Sequence, residues 1–399
     1  MPKHPNRNLN MIYRKMMVMA VLTSLAVAFA RGKGTDCPEC VSWVNIGISE
    51  SPEGRKVDVK PTYPADLFKS SLADIPLYQP GFRVTGTISV WGSDYVGSRL
   101  GDYWREGFHK YQPEATVENK LVNVLAAIPS ITLGIGDMGL GRGASWAELF
   151  FFERVHNYPP QDILFAADGW DASLAVFVNS DNPISQLTIQ QLDGIFGAQR
   201  TGAYVGTQWH PELARGPEKN IRTWGQLGLT GHWKDQPIRL HGSVINAFFM
   251  RNFERLVFGG EGASWNENFQ QHESCYTADG KAFYRQDQVS CAVLRDPYAI
   301  GLAYRQFGDR PGLKLLRIAA SENGPYVANN IQNVHNQSYP LPTFHHLYIN
   351  RKPGQPIEPK VKEYVKFILS REGQEAITRH GKYLPLTADR VRAELAKLE

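Results

Sequence analysis

Long apolar runs are almost missing from this chain. Outside Met16–Ala30 no stretch approaches the ~20 consecutive apolar residues that a membrane-spanning helix needs, and Met16–Ala30 is itself shorter. The short signatures of hydrolytic chemistry are missing too: there is no G-x-S-x-G, no H-E-x-x-H and no Cys/His pair that the sequence places together. Cysteine is scarce, at 4 in 399 residues, and Cys37-Pro-Glu-Cys40 has no second pair at zinc-ribbon spacing. No internal repeat recurs at solenoid spacing, and no low-complexity block interrupts the chain.

A surplus of charge is also absent once the leader is set apart. Residues 1–30 carry Lys3, Arg7, Arg14 and Lys15, no acid, and then the apolar run closing in Ala28-Phe29-Ala30. That pattern reads as a secretory signal peptide cleaved near Ala30. Without those four cations the chain holds basic and acidic residues in equal number, 39 of each. A neutral surface offers no electrostatic footprint for nucleic acid. Export suits the cysteines, since an oxidising compartment lets four of them form two disulfides in three possible ways. Cys275 with Cys291, closing a polar loop, is the preferred bridge. The residues before Cys37, Lys33-Gly-Thr-Asp36, lack the character of a lipoprotein signal. The expected product is a soluble periplasmic or secreted protein.

At 399 residues the chain is long enough for two lobes with separate cores. Residues 31–82 are rich in Pro, Ser and charge and show little periodicity, which suggests an extension wrapped on the surface. Beyond them apolar runs alternate with helical patterns: Thr87–Trp91 before Val96, Leu100, Tyr103, Trp104 and Phe108; Ile163–Ala167; Leu174–Val178 before Thr188. The alternation predicts an α/β architecture with largely parallel sheets. Thr188-Ile-Gln-Gln191 and Ser145-Trp-Ala-Glu148 are capping boxes, and a helix through Val361, Tyr364, Val365 and Ile368 starts at Pro359.

Three places share one arrangement, a glycine, a small polar residue and then a helix start: Gly92-Ser93-Asp94, Gly139-Leu-Gly-Arg142-Gly-Ala-Ser145, and His241-Gly242-Ser243. First turns of helices leave N–H groups unpaired and carry partial positive charge, so each is a ready seat for an anion. Gly-Ser before a helix is also an ordinary N-cap. Dipoles supply at most ~2 kcal/mol apiece, whereas micromolar binding needs about 8, so charge-assisted hydrogen bonds must add to them. Arg142 is the charged donor. Gly134-Ile-Gly-Asp-Met-Gly139 matches G-x-G-x-x-G by letter, but the glycines run on to Gly143 and the acid about twenty residues on, Glu153, lies inside a helix, so a dinucleotide site is excluded. His345 and His346 fall in a strand and point to opposite faces, which rules out chelation by that pair.

From Gly86 to Leu386 the sequence resembles the periplasmic substrate-binding proteins of phosphate ABC transporters. The resemblance rests on GSDYVGSRLGDYWREGFHKYQP from Gly92, ADGWDASLAVFVNSDNPISQLTIQQLDGIF from Ala167, TWGQLGLTGHW from Thr223, and the closing YPLPTFHHLYINRKPGQP and SREGQEAITRHGKYLPL. It implies the two-lobed type II periplasmic binding protein fold, an α/β protein with a mixed or parallel sheet flanked by helices in each lobe and the ligand in the cleft between. The expected division is 1–30 signal peptide, 31–82 extension, 83–174 with 305–399 as lobe one, and 175–304 as lobe two, crossing near Asp168–Ala175 and returning around Ala299–Leu302. Ser93 and Asp94 match the first oxyanion-binding turn, and the loop around Asp137 and Arg142 matches the second. Ser243 matches the serine of the family's Ser-Gly-Thr-Arg run, yet this chain has Ser243-Val-Ile-Asn246, which costs two side-chain donors.

The expectation is an exported, monomeric, non-enzymatic receptor without metal or cofactor. It holds phosphate or a related oxyanion through Ser93, Asp94, Asp137, Arg142, Ser243 and Asn246 and delivers it to an ABC transporter permease. A buried carboxylate, Asp94 or Asp137, would accept the proton of hydrogen phosphate and repel sulfate, which has none to give. The alternatives are a secreted enzyme acting on phosphate esters, which needs a metal cluster or an activated nucleophile, and a degenerate homologue with an envelope or regulatory role.

Overall fold

The computed structural model describes residues 37–43, 60–97 and 99–399; the expected signal peptide, its cleavage site and part of the expected extension lie outside them. Lobe one opens with four strands: β1 (Gly86–Gly92), β2 (Ala115–Lys120), β3 (Met138–Arg142) and β4 (Gln161–Ala167). In β1 every second side chain goes inward, with Ile88 and Val90 fully buried, the period expected of a strand with one face on a core. The chain then crosses through residues 168–173 into β5 (Leu174–Asn179), β6 (Arg239–Ser243), β7 (Gln270–His272), β8 (Ala299–Tyr304) and β9 (Leu313–Leu315), and returns as β10 (Phe344–Ile349).

The two five-stranded sheets repeat one pattern. Their orders are β2-β1-β3-β10-β4 and β7-β6-β8-β5-β9. In the first, β1 runs parallel to β2 and β3 while β10 is antiparallel to its neighbours. In the second, β6 runs parallel to β7 and β8 while β5 is the antiparallel strand. Each sheet has its own apolar core. The chain therefore forms the expected two-lobed α/β fold, with a mixed sheet in each lobe.

Helices cover the sheets where the sequence periodicity puts them. Helix α1 (Leu100–His109) buries Leu100, Trp104 and Phe108 at four-residue spacing. Both capping boxes form, Ser145 with Glu148 ahead of α2 (Trp146–His156) and Thr188 with Gln191 ahead of α3 (Ile189–Phe196). In lobe two follow α4 (Phe248–Phe253) and α5 (Arg285–Arg295), and α6 (Pro359–Leu369) opens at its proline. The helix expected to run on from Val96 is broken instead. A four-residue turn, Asp94–Gly97, precedes a fresh start at Leu100, because Arg99 adopts φ +105°, outside the helical region.

Three further expectations need correction. The second crossing comes later than residue 304: β9 pairs with β5, and Arg317–Ala319 pairs with Gln186–Thr188, so the chain stays in lobe two until after Ala319. The two crossing segments then touch, Asp168 N donating to Thr343 O at 3.0 Å. The end of the extension is not a surface wrap. Tyr63 and Phe68 are buried in the core of lobe two, and Leu72, Ile75 and Tyr78 in that of lobe one. Cys275 is bonded to Cys40, 235 residues away, with Cα atoms 5.7 Å apart, and not to Cys291. The antiparallel pairing of strand Cys40–Trp43 with Cys275–Thr277 brings those two together. Cys37 and Cys291 are also disulfide-bonded, and no cysteine is free.

Candidate anion-binding site

In sheets of this kind ligands sit beyond the carboxyl ends of the parallel strands. Here those ends are Gly92-Ser93 of β1 and Arg142 of β3 in lobe one, and Ser243 of β6 and Tyr304 of β8 in lobe two. Gly92 is obligatory for the close packing of β1 on β3. It has φ +135°, and a Cβ there would lie 1.8 Å from Leu140 O. That approach lets Ser93 N donate to Leu140 O at 2.8 Å. Ser93 is buried, so its hydroxyl is what it can still offer.

Arg142 reaches across to lobe two. Its guanidinium lies 4.7 Å above the ring of Phe248, the first residue of α4. Among the described residues nothing accepts a hydrogen bond from it. Burial pushes its pKa below the ordinary arginine value, and the neighbouring Arg251 pushes it the same way, while Tyr304, Glu148 and Asp94 oppose them. Arg251, also on α4, is held by a 2.7 Å bond from Nη1 to Asn246 O, and its Nε is buried without a hydrogen-bond partner. The Ser243 side chain is fully buried, and its Oγ has no partner either. The Arg142 guanidinium thus stands over a ring of the other lobe without a hydrogen-bond acceptor among the described residues and within electrostatic reach of Arg251, while the Ser243 hydroxyl of lobe two is buried without a partner. Unmet donors of this strength are costly inside a protein unless a ligand satisfies them.

Of the residues expected at the site, Asp94 lies within electrostatic reach of Arg142, Ser93 precedes it in the chain, Ser243 ends a strand of the other lobe, and Asp137 is engaged elsewhere. Asp137 precedes β3, and its carboxylate accepts from Ser89 N at 2.7 Å and pairs with Lys360 at 3.6 Å. Five strand steps, roughly 16 Å, separate it from Arg142. It clamps β1 to the loop before β3. Asn246 has an exposed side chain and contributes through its carbonyl, which fixes Arg251. Arg251 itself went unread in the sequence. The signal available was a lone cation in the otherwise uncharged α4 run Phe-Phe-Met-Arg-Asn-Phe, whose other five residues are buried.

The free helix amides expected at the three glycine turns are largely spent. Besides Ser93 N, Val244 N donates to His272 O at 3.3 Å and Ile245 N to the Gln271 side chain at 3.0 Å. At α2, Ser145 N donates to Glu148 at 2.8 Å and Trp146 N to Glu261 at 3.4 Å. The third turn is not a helix start at all, since residues 244–247 separate Ser243 from α4. Charge at this site comes from arginine side chains. His345 and His346 do face opposite ways, toward Asp168 and Asp162. Among the described residues no group of three or more His, Cys, Asp or Glu could hold a metal ion, and no helix is long and apolar enough to cross a membrane.

No family model matches the chain. Two curated proteins named Phosphate-binding protein PstS, from Pseudomonas aeruginosa strains PAO1 and UCBPP-PA14, are each 29% identical to it over 318 residues, covering 79% of this chain and 87% of theirs. Among solved structures, PstS from Borrelia burgdorferi is 16% identical with a TM-score of 0.48, covering 75% of this chain and 99% of that one. An ABC-type phosphate transport receptor from Vibrio cholerae is 20% identical with a TM-score of 0.45, covering 74% and 99%. The chain is thus similar to two phosphate-binding PstS proteins along about four fifths of its length.

Proposed function

We propose that this protein is an exported, non-enzymatic receptor that encloses phosphate, or a related doubly charged oxyanion, between its lobes and presents it to an ABC transporter permease. The observation that carries this reading is that Arg142 of one lobe stands over Phe248 of the other without a hydrogen-bond acceptor among the described residues, within electrostatic reach of Arg251. A guanidinium is a planar fork that meets two oxygens of a tetrahedral anion at once. Two such forks make about four charge-assisted bonds at ~1.5–3 kcal/mol each. Their gross gain of roughly 6–12 kcal/mol brackets the 8 that micromolar affinity requires. Helix dipoles are then unnecessary. Of the two carboxylates that could accept the proton of hydrogen phosphate, Asp94 is the one within electrostatic reach of Arg142.

The sequence similarity to PstS proteins supports the same reading. The test is calorimetry of the mature protein against phosphate, sulfate and glycerol 3-phosphate, with an ester-hydrolysis assay alongside. Saturable phosphate binding without turnover is expected. Release of phosphate from the ester would point to an enzyme, and silence toward the whole panel would end the receptor reading.

A further inference from the structure

The closed cleft is held by more than the groups that would touch an anion. Glu261, in lobe two, is 4% exposed, and its backbone pairs in both directions with Tyr204 in the hairpin 203–210. One carboxylate oxygen accepts from Arg255 Nε at 2.7 Å. The other accepts from Trp146 N, the first amide of α2 in lobe one, at 3.4 Å, and lies 4.0 Å from Arg251 Nε. Arg255 in turn donates to Ala144 O of lobe one. The Tyr204 ring stacks on Trp146 with centroids 4.9 Å apart and planes 11° apart, and Thr207 donates to Glu153 of α2 at 2.6 Å.

We propose that Glu261 is a positioning residue that couples lobe closure to the charge of the anion site. The proposal rests on the receptor reading given above. Its carboxylate fills the N-terminus of α2 from the opposite lobe, a place where a negative group is favoured, and the same carboxylate is the nearest counter-charge to Arg251. Closure therefore brings three things together in one step: a carboxylate on a helix N-terminus, an aromatic stack, and Arg251 within electrostatic reach of Arg142. Mutual repulsion of the two arginines favours opening of the empty cleft, and the Glu261 contacts oppose it. The anion at the start of α2 is a residue of the protein itself and leaves no seat there for the ligand.

Glu261→Gln keeps the size of the side chain and removes its charge. In the mature protein, small-angle scattering without ligand is expected to show a larger radius of gyration for Glu261→Gln than for the wild type. Stopped-flow measurements with inorganic phosphate are expected to show dissociation about five- to tenfold faster, with association unchanged or faster because a repelling carboxylate is gone. Glu261→Asp, which restores the charge, is expected to recover part of the difference. Tyr204→Leu removes the stack without touching any charge, so it serves if Glu261→Gln does not fold, and the same opening is expected of it. Ligand-free scattering identical to wild type in a folded variant, with dissociation unchanged, overturns the proposal. If wild-type protein binds no phosphate, the receptor reading falls, and the ligand-free scattering still decides whether Glu261 holds the lobes together.

Discussion

Replacing Arg142 by methionine separates a binding arginine from a structural one. In the empty protein its guanidinium donates no hydrogen bond among the described residues, is desolvated, and is repelled by Arg251. Against those costs stand attraction to Glu148 and Asp94 and the face of Phe248 at 4.7 Å, the latter worth about 0.5–2 kcal/mol. The methionine stem keeps the packing on Phe248, so ligand-free stability is expected to change by no more than about 1 kcal/mol in either direction. Affinity is another matter. Two charge-assisted bonds to the anion disappear, a loss of at least about 3 kcal/mol, or roughly a hundredfold in Kd.

Calorimetric titration with phosphate at physiological salt, together with urea unfolding of the empty protein, measures both quantities on the same preparation. A Kd within threefold of wild type would refute the site. So would a stability loss near 3 kcal/mol in the empty protein, which would show Arg142 working as a structural residue. Arg251→Met provides the contrast. Arg251 bonds Asn246 O and faces Glu261, so its loss is expected to weaken binding and also to cost about 1–2 kcal/mol of ligand-free stability.

Other expectations follow from single residues. Ser243→Ala removes a hydroxyl that has no partner in the empty protein, so thermal melting without ligand should be unchanged or slightly raised, while phosphate affinity falls about fivefold, one neutral hydrogen bond. Buried His241, His335 and His380 are each held down to about 4 by desolvation; the unfolded chain protonates near 6.5, so stability is fully present above that pH and drains away as pH falls toward 4. Each histidine contributes up to about 3 kcal/mol, and urea titrations at several pH values, with His335→Gln showing a shallower acid slope, check this. Glu254, pushed up to about 7 by burial, acts with the opposite sign. It takes stability away as pH rises from its unfolded value toward 7, and Glu254→Gln should remove that component in the same titrations. Removing the Cys40–Cys275 bridge and the bonds of Cys37 and Cys291 together, by reduction or serine substitution, should cost about 2–5 kcal/mol, read from urea midpoints with and without reductant.

Much of the fold was readable because it is written in local periods. Ile88 and Val90 alternate, Leu100, Trp104 and Phe108 recur every four residues, and Ser145/Glu148 and Thr188/Gln191 each close within one turn. The extension was misjudged for the same reason. Tyr63, Phe68, Leu72, Ile75 and Tyr78 are anchors in two cores with irregular segments between them, so no period betrays them. The disulfide partner of Cys275 lies 235 residues away, a distance over which sequence carries no pairing signal. At the site the residue types were legible and the donors were not. A glycine followed by serine announces a turn, but whether its amide is free depends on what packs against it, and for Ser93 that is Leu140 O from a neighbouring strand. Arg251 was hidden because its meaning comes from Arg142, more than a hundred residues earlier in the chain and in the other lobe.

That exchange of amides for arginines changes how such a receptor works. A cradle of backbone amides is complete within each lobe and holds part of its ligand while the cleft is open. Arg142 and Arg251 stand on different lobes within electrostatic reach of each other, so on the proposed reading the binding potential grows as the lobes approach, and the empty closed form is electrostatically uphill. An anion of two charges neutralises both guanidiniums and removes the term that opposes closure, whereas a singly charged one leaves part of the repulsion in place. Discrimination by charge then arises from the closing equilibrium and not from contacts alone. With Glu261 holding Trp146 N and facing Arg251 on the other side of the balance, the empty cleft stays poised near closure, and the charge of the guest decides which way it goes.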